Sequence, residues 1–508
     1  VLFAVGSYTV EANNRSRVAA FETGASEVVD VSLPPGLDLV DAVRRADPSG
    51  RQAMAAALYS SSSENLLAVD ASRLAAVASW PSGLSPQSEA EIARLLTPRV
   101  HPAITFHGNR LRVTVSLPAH TPQIILTAAL FDTVYDTPES VAFGPIRDGT
   151  HTYTAYLQGA CARSCRLDSL SPEWWSSNAF DTRLVHIDVR AMAADPAGTW
   201  RPIAFGAGER ESWHAQTSGV GISTTARSEP GLSISIPGDQ LLSGGVIVAP
   251  SDLPQSIPAV VTSDLVHSSS PTKKPASITA SGLDGNALTA SALSIVPAIP
   301  EVGKNALLVD LPLAERAQTG AAVGATDQVW LAPSASPLIL ERLRHLGVAI
   351  GPISSTASRL NALNHRGLAL AYDLALIVTP IAALLALGIV IFAIGSEAGT
   401  KRREIAALSA AGVDRRSLGR AVWLENGLVL VVAVVLGSAI GFAADAIAIP
   451  SLPLFTNGSG GLPLTTGLPL GTMLLTVAAL IVALGTSVAA TSHLVFRSSF
   501  FEHRRDDQ

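Results

Sequence analysis

Glu397-Ala-Gly-Thr-Lys-Arg-Arg-Glu-Ile-Ala-Ala-Leu-Ser-Ala-Ala-Gly412 continues as Val-Asp-Arg-Arg-Ser-Leu-Gly-Arg420, then enters an apolar run carrying Glu425, Gly437 and Gly441. This stretch decides the architecture. Leu374 to Ile394 before it holds 21 residues without a charge, and Gly427 to Ala444 after it holds 18. A helix crosses the hydrocarbon core of a bilayer in about 20 residues, so each run predicts a membrane span, with Pro380 and Gly388 tolerated inside the first. Leu468 to Ala490 predicts a third. The basic segment is therefore a loop pinned at both ends to membrane helices, able to pass force between a soluble partner and the membrane.

Charge sets the orientation. Lys401, Arg402, Arg403, Arg415, Arg416 and Arg420 crowd the loop at 397–420, the tail holds Arg497, Arg504 and Arg505, and residues 449–467 carry no charge. Basic loops stay cytoplasmic, so 397–420 and the C-terminal tail are expected inside and 449–467 outside. One span separates the loop from residues 11–365, which are expected outside as well. Val1 to Val10 is apolar but too short to span, and no basic region precedes it as in a signal peptide. It reads as the end of a transmembrane helix, with Glu11 to Thr23 as a polar stalk.

At 508 residues the chain exceeds one ordinary core. Its mean hydropathy of +0.35 is concentrated after Gly367. A net charge of −6 argues against general nucleic-acid binding. Within 11–365, Val28–Leu33, Ala53–Tyr59 and Leu66–Val69 predict strands. Leu37, Val40 and Val43 predict a short helix closed by Pro48 and Gly50, and Ser85-Pro86 predicts the cap of a helix carrying Ile92 and Leu95. From about 100 the period becomes two: Leu111, Val113, Val115 and Leu117 alternate with polar residues. Ile124–Phe131, Thr150–Leu157 and Leu184–Val189 follow as strands, which suggests a β-sandwich.

Mixed patterning resumes near 235. Val246–Val248, Ala259–Thr262 and Leu307–Val309 read as strands. Gln328–Leu331, a helix capped by Ser336 with Pro337 first, a stop at Gly347 and the strand Val348–Ile350 form a strand–helix–strand unit. The expected fold class is an α+β membrane protein. Its mixed α/β extracytoplasmic domain (28–99 and 235–355) holds an inserted β-sandwich (about 100–230). A membrane segment at 366–500 follows, with helices near 372–395, 422–445 and 468–492, and then a tail at 501–508.

Cys161 and Cys165 are the only cysteines. Two cysteines without a His-x3-His partner do not make a four-ligand zinc site. A small disulfide loop suits an extracytoplasmic domain, and free thiols a cytosolic one. No G-x4-G-K-[ST] phosphate loop, H-E-x-x-H or G-x-S-x-G occurs, and the histidines show no ligand spacing. The sequence offers no catalytic constellation, so energised work would draw on another polypeptide.

In the basic loop, Ile405, Leu408 and Ala411 fall three apart, which gives a helix through Glu404–Ala411 a narrow apolar face. Gly412 can end that helix and Asp414 start the next. A short helix lying parallel to the membrane could dock in a groove on a soluble partner, or its arginines could contact anionic lipid. Glu425, like Asp373 and Asp445, borders a span, where interfacial water suffices for its charge. Gly437 and Gly441 allow close approach of helices. The pair Trp174-Trp175 suits either a sugar platform or core packing.

Arg402-Arg403-Glu404-Ile405-Ala406-Ala407-Leu408, then Ala410 and Gly412, then Glu425, Gly437 and Gly441, resemble the R-x-E-[IV]-x-x-L-x-A-x-G … E … G-x-x-x-G run of FtsX-like/MacB-type ABC-transporter permeases. The resemblance covers about 365–500. The segment around Cys161-x3-Cys165-Arg166-Leu167 is similar to large actinobacterial members with an inserted β module. The resemblance implies one helix, an outer domain and three further helices, here as the C-terminal portion of such a protein. It implies that the loop (Arg402, Arg403, Glu404, Ile405, Leu408, Ala410, Gly412) binds a separate ABC-type ATPase subunit, with ATP bound there and no cofactor in this chain. It also implies pairing with a second permease unit, and export, extraction or envelope regulation rather than enzymatic activity. The competing reading is a membrane-anchored receptor for a glycan or other ligand, with the sandwich as binder.

Overall fold

The computed structural model describes residues 1–157, 159, 161–175, 183–205, 212–216, 219–225, 231–242, 246–269, 276–410, 414–451, 461–465, 467 and 469–502. The chain forms two compact units. One comprises 20–356 with 460–462, the other 1–19, 357–459 and 463–508.

The first unit is built on a nine-stranded mixed sheet. Its order is Ala276–Ser281, Ala287–Val296, Ile257–Thr262, Ala306–Asp310, Asn65–Val69, Ala53–Ser60, Ala325–Leu331, Glu27–Ser32 and Ala349–Ser355. The central strands are apolar on both faces because both are covered, as their near-continuous apolar runs require. Val29, Ala55, Leu307 and Val329 face one core with the helices Leu39–Ala46 and Leu338–His345. Met54, Leu67, Leu308 and Trp330 face the other with helix Glu89–Leu96. The strand–helix–strand unit near 325–355 forms, with Glu27–Ser32 antiparallel between its two strands. Gly347, at φ +92°, ends its helix.

Two buried ion pairs tie loops to this sheet. Asp47 accepts from the amides of Gln52 and Ala53 at 2.8 and 3.0 Å and faces Arg73 Nη1 at 3.3 Å. Burial pushes the Asp47 carboxyl up, but the bonds from Ser49, Gln52 and Ala53 and the Arg73 guanidinium outweigh it and leave the group below its usual range. Arg73 Nε also lies 3.6 Å from Asp70.

Two six-stranded sheets leave the chain after helix Glu89–Leu96 and return before Ile257–Thr262. One runs Gly221–Thr225, Gly231–Pro237, Leu184–Asp195, Arg110–Leu117, Gly149–Tyr156, with Arg201–Pro202 also paired to Leu184–Asp195. The other runs Trp213–Ala215, Val248–Pro250, Cys165–Trp174, Ile124–Asp132, Thr137–Ile146, with Thr105–Phe106 also paired to Cys165–Trp174. Leu111, Val113, Val115 and Leu117 pack against Leu126, Leu130, Leu167 and Leu170, so the sheets share one sandwich core.

Several expectations need correction. Gly231–Pro237 and Val248–Pro250 pair inside the sandwich, so the mixed part resumes at Ile257 rather than near 235. The helix at Glu89–Leu96 is capped by Ser88, whose hydroxyl and backbone exchange bonds with Glu91, not by Ser85. A reciprocal capping box satisfies two free amides at once and wins over Ser85-Pro86 three residues upstream. The buried pair is accordingly Ile92 and Leu96 rather than Leu95.

The second unit is helical. Helices Gly367–Ala410, Arg415–Ser451 and Leu470–Glu502 contain three segments long and apolar enough to cross a membrane, Gly367–Ala393, Gly427–Ile447 and Leu470–Ala490. Leu470–Glu502 packs against both of the others. Residues 2–19 of helix Leu2–Thr23 join this unit.

Candidate functional site: the helical hairpin and its membrane anchor

The basic stretch is not a separate short helix. Helix Gly367–Ala410 runs unbroken for 44 residues, about 66 Å at 1.5 Å per residue. Its apolar window ends at Ala393. A bilayer core spans about 30 Å, so residues 394–410 extend the span by a further 25 Å or so. Gly395 and Gly399 lie inside this extension, and each costs a helix only about 1 kcal/mol. A helix nucleated in the span propagates through them at one bond per residue.

The return helix begins at Arg415, twelve residues before its own apolar window. Asp414 sits immediately before it, and its carbonyl accepts from the Ser417 amide at 3.0 Å. The basic residues therefore occupy the far ends of two membrane helices joined by a short connection.

Arg402, Arg403, Glu404, Ile405, Leu408 and Ala410 all lie on the outgoing helix, and Glu404 is exposed. Gly412, like Ala411, lies outside the described residues. Glu425 is exposed, two residues ahead of the second apolar window. Gly437 and Gly441 differ. A methyl group added at Gly437 would meet nothing within 4 Å, whereas one at Gly441 would lie 2.9 Å from Leu2 Cβ. Close approach at this pair thus belongs to Gly441 and the first helix.

That first helix carries contacts the sequence did not announce. Ser7 Oγ donates to Asp445 Oδ1 at 3.0 Å, and both residues are buried. Gly6 passes so close to Asp445 Oδ2 that no side chain would fit there. One turn on, Glu11 pairs with Arg15 at 2.7 Å, and Arg15 Nη1 donates to Asn364 Oδ1 at 2.8 Å. Buried Asn14 exchanges bonds with the Thr465 backbone at 2.9 and 3.0 Å. Asp445, expected at a wetted border, is fully enclosed. Its partner stands 438 positions away in sequence, so only the fold reveals it.

Cys161 and Cys165 are bonded to each other and fully buried in the sandwich core. The bridge stands at the start of strand Cys165–Trp174, and the Cys161 carbonyl accepts from the Gly108 amide at 2.9 Å. The tryptophan pair is divided. Trp174 is buried with its Nε1 donating to the Gly238 carbonyl at 2.9 Å, while Trp175 is half exposed. Adjacent strand residues point to opposite faces, so the two cannot form one sugar platform.

Among the described residues, no group of three or more His, Cys, Asp or Glu side chains is arranged to hold a metal. No curated protein matches the chain. Residues 376–498 match the family model described as FtsX-like permease C-terminal. That family consists of transporter components rather than typical enzymes, and its members generally work with an ABC ATPase subunit. Residues 376–498 are thus similar to an FtsX-like permease C-terminal domain, and the described residues of the same stretch include three helices long and apolar enough to cross a membrane.

Proposed function

We propose that this chain is the membrane permease, or mechanotransmission, subunit of an ABC-type complex. A separate ATPase binds and hydrolyses ATP, and the hairpin tip at 402–412 couples that cycle to the membrane helices. The observation that carries the reading is the continuity of helix Gly367–Ala410. A rigid helix runs from the basic tip through the span, so a push at the tip moves the span itself instead of being absorbed in a flexible loop.

Charge supports the orientation. The basic hairpin and tail face the cytoplasm, and residues 11–365 lie outside, where an intrachain disulfide is at home. The chain passes between its two units at residues 19–20, 356–357, 459–460 and 462–463, so motion of the helices reaches the outer unit through those connections. Gly441 keeps the first helix in close register with the second span. Anionic lipid and a second permease unit complete the assembly, whose work is export, extraction or envelope regulation.

The test exchanges charges at the tip. Arg403→Glu combined with Glu404→Arg leaves net charge unchanged and both residues helix-compatible. The expected result is normal insertion with loss of stimulation of the co-purified ATPase. Normal stimulation in the double variant would remove the coupling role.

A further inference from the structure

A cavity of about 800 Å³ lies in the outer unit, where the sandwich meets the mixed sheet. Its walls come from the loop before helix Leu39–Ala46, the turn after strand Ile124–Asp132, helix Leu311–Arg316 and strand Ala325–Leu331. The volume falls in the range of small-molecule sites, about 300–1,000 Å³.

Five carboxylates line it: Asp38, Asp41, Asp136, Glu315 and Asp327. They form no ion pair among the described residues. Asp38 caps its helix, accepting from the Asp41 amide at 2.7 Å. The carboxylates of Asp136, Glu315 and Asp327 accept no hydrogen bond from any described group. Glu315 is closely packed round by protein, and the surface it keeps opens on the cavity.

Three arginines also reach the walls, yet each is committed elsewhere. Arg44 faces Asp70 at 3.4 Å. Arg316 donates to the Asp252 carbonyl at 3.3 Å. Arg166 pairs with Asp168, donates to the Gln318 carbonyl at 3.2 Å and lies over the Phe131 ring. The cavity thus gathers more carboxylates than arginines, with Arg166 offsetting part of the charge of Asp136.

Such an arrangement is costly without an occupant. Burial raises the Glu315 carboxyl well above its usual range, and Asp38, Asp327 and Asp136 add to the rise. Burial, then Asp136 and Asp38, push Asp327 up to about 6. Mutual repulsion of buried carboxylates is relieved by protonation or by a cation. Among the described residues no group of three or more His, Cys, Asp or Glu is placed to hold a metal ion, which favours a larger, diffuse cation. The rest of the wall mixes polar side chains, among them Thr105, Thr133, Ser164 and Gln318, with an apolar part formed by Leu33, Leu37, Val134 and exposed Tyr135. An ammonium or guanidinium on an apolar body matches both parts, with the Tyr135 ring available to its charge.

We propose that this cavity binds an organic cation, an ammonium or guanidinium carried on an apolar body, with Glu315 and Asp327 as its counterions and Asp38 and Asp136 flanking them. The site belongs to the outer unit alone and goes beyond the permease reading, which could fail without affecting it.

The test is titration calorimetry on the full-length chain in detergent at pH 7.5. The probes are tryptamine, agmatine and spermidine, with tryptophol, which carries a hydroxyl in place of the amine, and calcium chloride as controls. At least one amine is expected to bind, tryptophol at least tenfold more weakly, and calcium without competing. Binding is also expected to weaken as pH falls from 7.5 through 6, where Asp327 gains a proton, a signature that simple packing of a ring would not give. Glu315→Gln with Asp327→Asn should lower amine affinity at least tenfold while raising the melting temperature of the unliganded protein. Asp327→Asn alone serves if the double variant does not fold. Absence of binding by all three amines, equal binding of tryptamine and tryptophol, or unchanged affinity in the variants would overturn the proposal.

Discussion

Glu301→Gln should stabilise the outer unit, and the gain should depend on pH. Burial raises the Glu301 carboxyl from 4.5 to about 7, against a bond from Gln328 Nε2 at 2.8 Å and with Asp30 adding to the rise. Its second oxygen is buried without a partner. The folded state therefore keeps a proton between pH 4.5 and 7 that the unfolded chain releases. Stability from this group is full below pH 4.5 and is lost as pH rises through 7. One pKa unit corresponds to about 1.4 kcal/mol, so the loss at pH 8 has a ceiling near 3 kcal/mol, and partial solvation brings it to about 2 kcal/mol. A glutamine accepts from Gln328 as before and does not ionise. At roughly 2 °C per kcal/mol, the variant should melt about 4 °C above the native chain at pH 8 and level with it at pH 5. Thermal unfolding of both proteins in one detergent, across pH 5 to 8.5, gives the difference curve and cancels the contributions of Asp310 and Asp327. A gap that stays constant with pH, or that is widest at pH 5, would refute the argument.

Other perturbations test other parts. Gly24→Ala should cost roughly 2–4 kcal/mol by thermal unfolding, because the residue sits at φ +81° and an added methyl would stand 2.6 Å from the Trp330 ring. Asp47→Ala should cost roughly 1–3 kcal/mol, since it leaves the amides of Gln52 and Ala53 without their acceptor while Arg73 keeps Asp70 as counter-charge. Replacing both Cys161 and Cys165 by serine should lower stability by roughly 2 kcal/mol, the entropy of so short a loop, and reductant should then have no further effect. Gly441→Leu should detach the first helix from the second span, read as faster cleavage by protease near residues 20–25, while Gly437→Leu should leave cleavage unchanged.

The sequence revealed the membrane segment and much of the outer unit because burial there leaves a periodic trace. Leu111, Val113, Val115 and Leu117 alternate because one face of their strand fills the sandwich core. Strands with little to bury left no such mark. Thr137–Ile146 is largely exposed and carries two prolines, and Ala287–Val296 buries mostly small residues on one face while Leu293 and Ile295 stand exposed on the other, which blurs its alternation. Ser85 and Ser88 offered two helix starts, and only the reciprocal bond to Glu91 decided between them. The basic stretch read as a separate helix because its composition changes at 395, yet composition does not break a helix that no residue interrupts. The Ser7–Asp445 contact and the carboxylate cavity join residues hundreds of positions apart and have no local signature.

The most direct test of the coupling account places a photo-crosslinking residue at Glu404, an exposed position on the outgoing helix. The full chain is irradiated in its native membrane, and adducts are identified by mass spectrometry. The account predicts a stoichiometric adduct to a protein bearing a Walker phosphate loop, lost when Arg402 and Arg403 of the same chain are replaced by Glu. Adducts to lipid alone, with no ATPase recovered from the intact membrane, would contradict it.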